Sequence, residues 1–157
     1  MADGIRQKIV DELRRRLAAI SIANGYETDL GAGPINEMPV SYQEEELPAI
    51  GVFDLINTTA QEYAQQKRLM NELSCQVRVF LQRGTDARQA RQMLADIKRA
   101  VIRDATTQKV DATLGGLAVD MQPEQDGPDV PKDTYQIDGA VIAFMVQFLA
   151  EPFNDYE

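Results

Sequence analysis

From Leu73 onward the sequence alternates strictly: Leu73, Cys75, Val77, Val79 and Leu81 fall on one side, while Ser74, Gln76, Arg78 and Gln82 fall mostly on the other. A period of two marks an extended strand with one buried face, because successive side chains of a strand point to opposite faces. The chain is therefore committed to a sheet with an apolar face, and that face needs a cover. Two segments with helical periodicity can supply it. In the first, Ile5, Ile9, Val10, Leu13, Leu17 and Ile20 recur at three- and four-residue steps, with Asp3 placed to cap the start and Asn24 and Gly25 to stop the end. In the second, opened by Gly84 and Thr85, Ala87, Ala90, Leu94, Ile97 and Val101 form an apolar stripe, and Arg88, Arg91, Gln92 and Lys98 face water.

The remaining segments read as strands and loops. Tyr26 to Leu30 is short enough for a strand, and Gly31, Gly33, Pro34 and Pro39 then punctuate a loop running to Pro48. Ala49 to Ile56 reads as a second strand, and Asn57 to Arg68, polar and without clear periodicity, as a long excursion. Leu117 to Met121 is a short strand, Pro123 to Lys132 a surface loop, and Thr134 to Ala150 the last strand, with Gly139 as its bend or bulge. No repeat interrupts this order. With 157 residues the chain suits a single domain over 1–157. The expected class is α+β: one mostly antiparallel β-sheet with two α-helices packed on one face.

The last strand is apolar on both sides. Val141, Ala143 and Met145 point one way, and Ile142, Phe144, Val146 and Phe148 the other. Two helices cover one face of a sheet, so the second face is expected to be covered by a neighbouring subunit. Phe144, Val146 and Phe148 are the expected oligomer-interface residues, the two aromatics serving as anchors.

Catalytic chemistry is hard to place in this sequence. The chain has no His, which removes Ser-His-Asp and Cys-His catalysis and the commonest zinc ligand. The lone cysteine, Cys75, allows no intramolecular disulfide and lies in phase with Leu73 and Val77, where a buried thiol is inert. Gly31, Gly33, Gly115 and Gly116 sit in no phosphate-binding pattern. Carboxylates remain, with Glu44, Glu45 and Glu46 or Asp126 and Asp129 as candidates for acid–base work or a hard cation, but both groups lie in expected loops and read as solvated runs. No catalytic residue, metal or cofactor is expected.

A net charge of −9 argues against binding to nucleic-acid phosphates, and the basic run Arg14, Arg15 and Arg16 reads as a solvated helix face. Residues 1–9 lack the apolar core of a signal peptide, and the longest apolar stretch, Gly139 to Ala150, falls short of a bilayer span, so a cytoplasmic site of synthesis and no membrane partner are expected.

A helix ending in Gly25-Tyr26-Glu27-Thr28-Asp29-Leu30-Gly31, a return at Leu47-Pro48-Ala49-Ile50 and a later helix carrying Leu94-Ala95-Asp96-Ile97-Lys98-Arg99-Ala100-Val101 form an ordered series over most of the chain. In that order the chain resembles the tail terminator proteins of tailed bacteriophages. The resemblance implies a structural virion protein whose copies close into a ring, commonly a hexamer, at the head-proximal end of the tail tube. Such a ring stops tube polymerisation, and its partners are the tail tube protein and the head-completion or neck protein. DNA passes through the lumen without specific binding, which an acidic wall favours. The stretch from Gly33 to Glu46, with two prolines and three consecutive glutamates, departs from the family's pattern. A neck or head-completion protein is the alternative within the virion, and a host adaptor domain the alternative outside it.

Overall fold

The computed structural model describes residues 4–37, 41–63, 68–129 and 138–150. Helix α1 spans Ile5–Ala18 and helix α2 spans Ala87–Val101, and the strands are β1 (Ile35–Asn36), β2 (Ala49–Tyr63), β3 (Arg68–Phe80), β4 (Asp120–Asp129) and β5 (Gly139–Ala150). They form one five-stranded sheet in the order β1-β2-β3-β5-β4, antiparallel except for the β1–β2 pair. Both helices lie on one face, α1 against β2 and α2 against β5 and β4. The expected α+β architecture is what the chain adopts.

The alternation that begins at Leu73 sets the inner face. Leu73, Cys75, Val77 and Val79 are buried beneath the helices together with Ile9, Leu13 and Leu17 of α1 and Ala90, Leu94 and Ile97 of α2. Beside β3, β5 runs in unbroken antiparallel register from Leu69↔Ala150 to Phe80↔Gly139. Gly139 therefore makes no bulge, and its role is contact: a Cβ there would collide with the Val79 carbonyl oxygen. The strand begins at Gly139, and residues 134–137 of the expected longer strand lie outside the described residues.

Helix α1 starts after Gly4 in the N-cap position, Asp3 lying outside the described residues, and stops at Ala18. Gly25 is left-handed, with φ 88°, but it closes a short 3-10 turn over Ile22–Asn24 rather than the helix itself. Helix α2 is capped by Asp86, whose side chain accepts from the Gln89 amide at 2.8 Å, while the Gln89 side chain accepts from the Asp86 amide at 3.2 Å. This reciprocal box satisfies two amides that a helix start leaves unpaired.

Three segments differ from the sequence expectation. Tyr26 to Leu30 is a turn, not a strand: Tyr26 and Leu30 are buried, and the amides of Glu27 and Thr28 donate to the Asp96 carboxylate instead of to a neighbouring strand. The expected excursion over 57–68 is largely ladder, since β2 continues through Asn57 to Tyr63 and pairs with β3 back to Arg68. Its periodicity is hidden because the register shifts between Asp54 and Asn57 and again between Thr59 and Gln61. Each such irregularity turns the side-chain alternation over. Finally, the strand expected over Leu117 to Met121 starts only at Asp120, and the expected surface loop from Pro123 carries it on as β4 to Asp129, residues 130–132 lying outside the described residues. An edge strand engages only half of its amides in the sheet, so it accommodates Pro123 and Pro128 where an inner strand would not.

Candidate assembly surfaces

The interface residues expected from the sequence face inward. Phe144, Val146 and Phe148 are 4%, 0% and 1% exposed and belong to the core beneath the helices. Contact between α2 and β5 explains the burial: the chain's own helix packs on that side. The outward side of β5 carries Val141, Ala143, Met145, Gln147 and Leu149, all half-buried, and no helix lies on that face among the described residues. In the ladder, Val141 stands beside Arg78, Ala143 beside Gln76 and Met145 beside Ser74. An apolar stripe thus runs down an inner strand with polar side chains of β3 along one flank. Where β2 runs past the core, Leu55 and Ile56 add apolar surface, Ile56 being 74% exposed.

The sheet's two outer edges differ in chemistry. Strand β4 carries Asp120, Glu124 and Asp126 as well as its prolines, the usual devices that discourage further strand pairing. Strand β2 is covered on its outer side by β1 only at Ile50 and Gly51, and from Val52 onward no described strand pairs with it there.

Residues of the ordered series that suggested a family are brought together by the fold. The Asp96 carboxylate, 3% exposed, accepts from the Glu27 amide at 3.1 Å, the Thr28 amide at 2.9 Å and the Thr28 hydroxyl at 2.6 Å. Arg99 lies 5.1 Å from the Tyr26 ring centroid and donates to the Gly25 carbonyl at 2.9 Å. Gly31 passes so close to the end of α1 that a Cβ would stand 2.7 Å from the Leu17 carbonyl oxygen. The two stretches therefore interlock as one structural unit, with Tyr26 lifted above its ordinary pKa chiefly by burial.

The basic run does not form the uniform solvated face expected of it. Arg15 is exposed and its pKa is raised by its hydrogen bond to Glu12, but Arg16 is 0% exposed. The Arg16 guanidinium donates to Glu12 at 3.1 Å, to the Val101 carbonyl at 2.9 Å, and to the Asp111 carbonyl and carboxylate at 2.7 and 2.9 Å. It ties α1 to the end of α2 and to the segment that follows. Asp111 also accepts from the Thr113 hydroxyl and amide and from the Gly115 amide, and these bonds, with Arg16, hold its pKa down to about 2.

The carboxylate candidates do not converge. Glu44, Glu45 and Glu46 form an exposed 3-10 turn in which Glu44 accepts from the Arg83 amide, whereas Asp126 pairs with Lys98 at 2.9 Å on β4. Asp129 closes β4. Among the described residues no group of three or more His, Cys, Asp or Glu could hold a metal ion, and no helix is long and apolar enough to cross a membrane. Cys75 is buried, and burial pushes its thiol up to about 12. Compared with known proteins, the chain matches no family model and no curated protein.

Proposed function

We propose that this chain is a structural assembly protein of the phage tail terminator type, which closes into a ring on the head-proximal end of a tail tube and carries no catalytic activity. The observation that carries the proposal is the outward face of the sheet. Val141, Ala143, Met145 and Leu149 form an apolar stripe on an inner strand, and apolar surface in that position is stabilised by burial against another protein surface. The interlocked stretches around Gly25 to Gly31 and Leu94 to Val101 support the likeness to that family. Polar groups that could do chemistry are instead engaged in holding the fold: Asp96, Asp111 and Arg16 have their bonding capacity taken up internally. On this reading the stripe meets the next copy, the partners are the tail tube and neck proteins, and the protein resides in the virion after assembly in the host cytoplasm.

Native mass spectrometry of the chain, alone and with tail tube protein, tests the reading. A closed oligomer of six copies is expected on the tube, and Met145→Asp and Val141→Asp are expected to abolish it while leaving the thermal melt of the monomer nearly unchanged. Overlong tubes in the absence of the protein are the expected assembly phenotype. Binding to neck protein without any effect on tube length would favour a head-completion role, and a chain that stays monomeric on tubes would refute the ring.

A further inference from the structure

The two flanks of helix α2 carry opposite charge. Its one carboxylate, Asp96, is buried, so the solvent side of the helix itself bears cations only. Arg88, Arg91, Ala95 and Lys98 are exposed and stand three or four residues apart, which aligns them as one ridge along the helix. Lys98 is paired with Asp126, and Arg99 donates to the Gly25 carbonyl. Arg88 and Arg91 have no hydrogen-bond or ion-pair partner among the described residues. In a chain of net charge −9 this ridge is positive and unmatched.

On the other flank Met93, with Leu47 and Pro48, lines an open cavity of about 500 Å³ whose charged groups are Asp29, Glu45 and Glu46. No lysine or arginine lines it, and Arg83 lines the adjoining hollow that shares Pro48 and Met93. Asp29 gives one carboxylate oxygen to the Ile22 amide and Glu46 one to the Gln43 amide, so each keeps a second oxygen. Glu45 has no partner among the described residues. At about 100° per residue, Arg88 and Arg91 point roughly 140–160° away from Met93. Their guanidinium groups are therefore turned from the cavity of their own copy. Charges of opposite sign on opposite flanks of one helix complement each other between copies, and one chain supplies both halves of the contact. Such a contact is head-to-tail, the kind that repeats around a closed ring. We infer that the α2 ridge of one copy seats in the cavity beside Met93 of the next. Arg88 and Arg91 pair there with Asp29, Glu45 and Glu46, and their alkyl stems lie on Leu47 and Pro48.

The identity of the neighbour rests on the ring reading, and charge reversal in the full chain separates the two. Association is read by sedimentation velocity and native mass spectrometry, and circular dichroism melts confirm that each variant folds. Arg88→Glu with Arg91→Glu sets acid against acid, and Glu45→Lys with Glu46→Lys sets cation against cation. Each pair is expected to weaken self-association roughly tenfold or more, and added salt to weaken that of the wild type. Mixing the two variants restores opposite charge at every contact between unlike copies. The mixture is therefore expected to regain wild-type assembly with alternating copies, and a chain carrying all four reversals to regain it alone. Unchanged assembly in both variants removes this contact and leaves the ring standing. Loss in both without recovery in the mixture gives ridge and cavity different partners and overturns the inference. Recovery that stops at pairs keeps the contact and sinks the ring. A flexible bis-maleimide offered to a mixture of Ala95→Cys and Ala32→Cys chains reads the contact even where association is weak, Cys75 being buried. The mixed product is expected to dominate, and its absence up to millimolar chain overturns the inference as well.

Discussion

Arg16 shows how a charged residue can be part of the core. Its cost of desolvation is offset by four hydrogen bonds to Glu12, Val101 and Asp111, so removing the guanidinium strands several acceptors at once. Arg16→Ala is expected to cost about 3 kcal/mol, measured by urea denaturation, and Arg16→Lys to rescue little because an ammonium cannot span the same acceptors. Asp111 gives the pH counterpart. Its folded pKa is depressed, so its stabilising contribution is fully present above the ordinary carboxylate value of 3.8 and is lost as pH falls toward about 2. Asp111→Asn is expected to flatten that acid limb of the stability curve. Cys75 has the opposite sign, with a folded pKa raised from 9.0 to about 12, so its contribution is fully present below pH 9 and is lost above it, where the unfolded chain ionises and the buried thiol does not. Folding then loses stability as pH rises through that window. Iodoacetamide labelling of Cys75 at pH 8 is expected to be slow and to accelerate with denaturant, and Cys75→Ala to cost only about 1 kcal/mol.

Among the elements, β5 makes the sharpest claim, because its two faces serve different purposes. Phe144→Ala and Phe148→Ala each empty a site inside the chain's own core and are expected to cost about 3–5 kcal/mol by thermal or urea denaturation of the monomer. The outward Met145→Asp is expected to leave that melt nearly unchanged. Much of this was legible in sequence: the alternation from Leu73, both helical stripes and the apolar character of β5 on two sides all correspond to the structure. Which face of β5 lies inside could not be read from the strand, since both faces are apolar and only contact with α2 decides. Asp96 and Arg16 were missed for a related reason, as their acceptors and donors lie far off in sequence, at Thr28 and Asp111. The extension of β2 escaped because a ladder interrupted by register shifts and exposed over Thr58 and Thr59 leaves no hydrophobic period to detect. Prolines hid β4, although a sheet edge accepts them.

At the scale of the molecule, the strand order separates neighbours in space from neighbours in sequence. Strand β3 meets β2 across a short connection, but its other flank is closed by β5, which follows only after α2 and β4. Contacts between distant parts of a chain form late because the loop between them must be closed first. Refolding monitored by tyrosine fluorescence after dilution from urea is therefore expected to proceed over milliseconds to seconds, far slower than a hairpin alone. A chain in which β5 has not yet docked leaves the edge of β3 unpaired, beside the core residues Leu73, Val77 and Val79. A second unfinished chain can dock there as readily as β5, so the yield of refolded protein should drop steeply as its concentration is raised. The inner seat reserved for a late-arriving strand makes this protein's passage through synthesis a race between its own remaining residues and those of its neighbours.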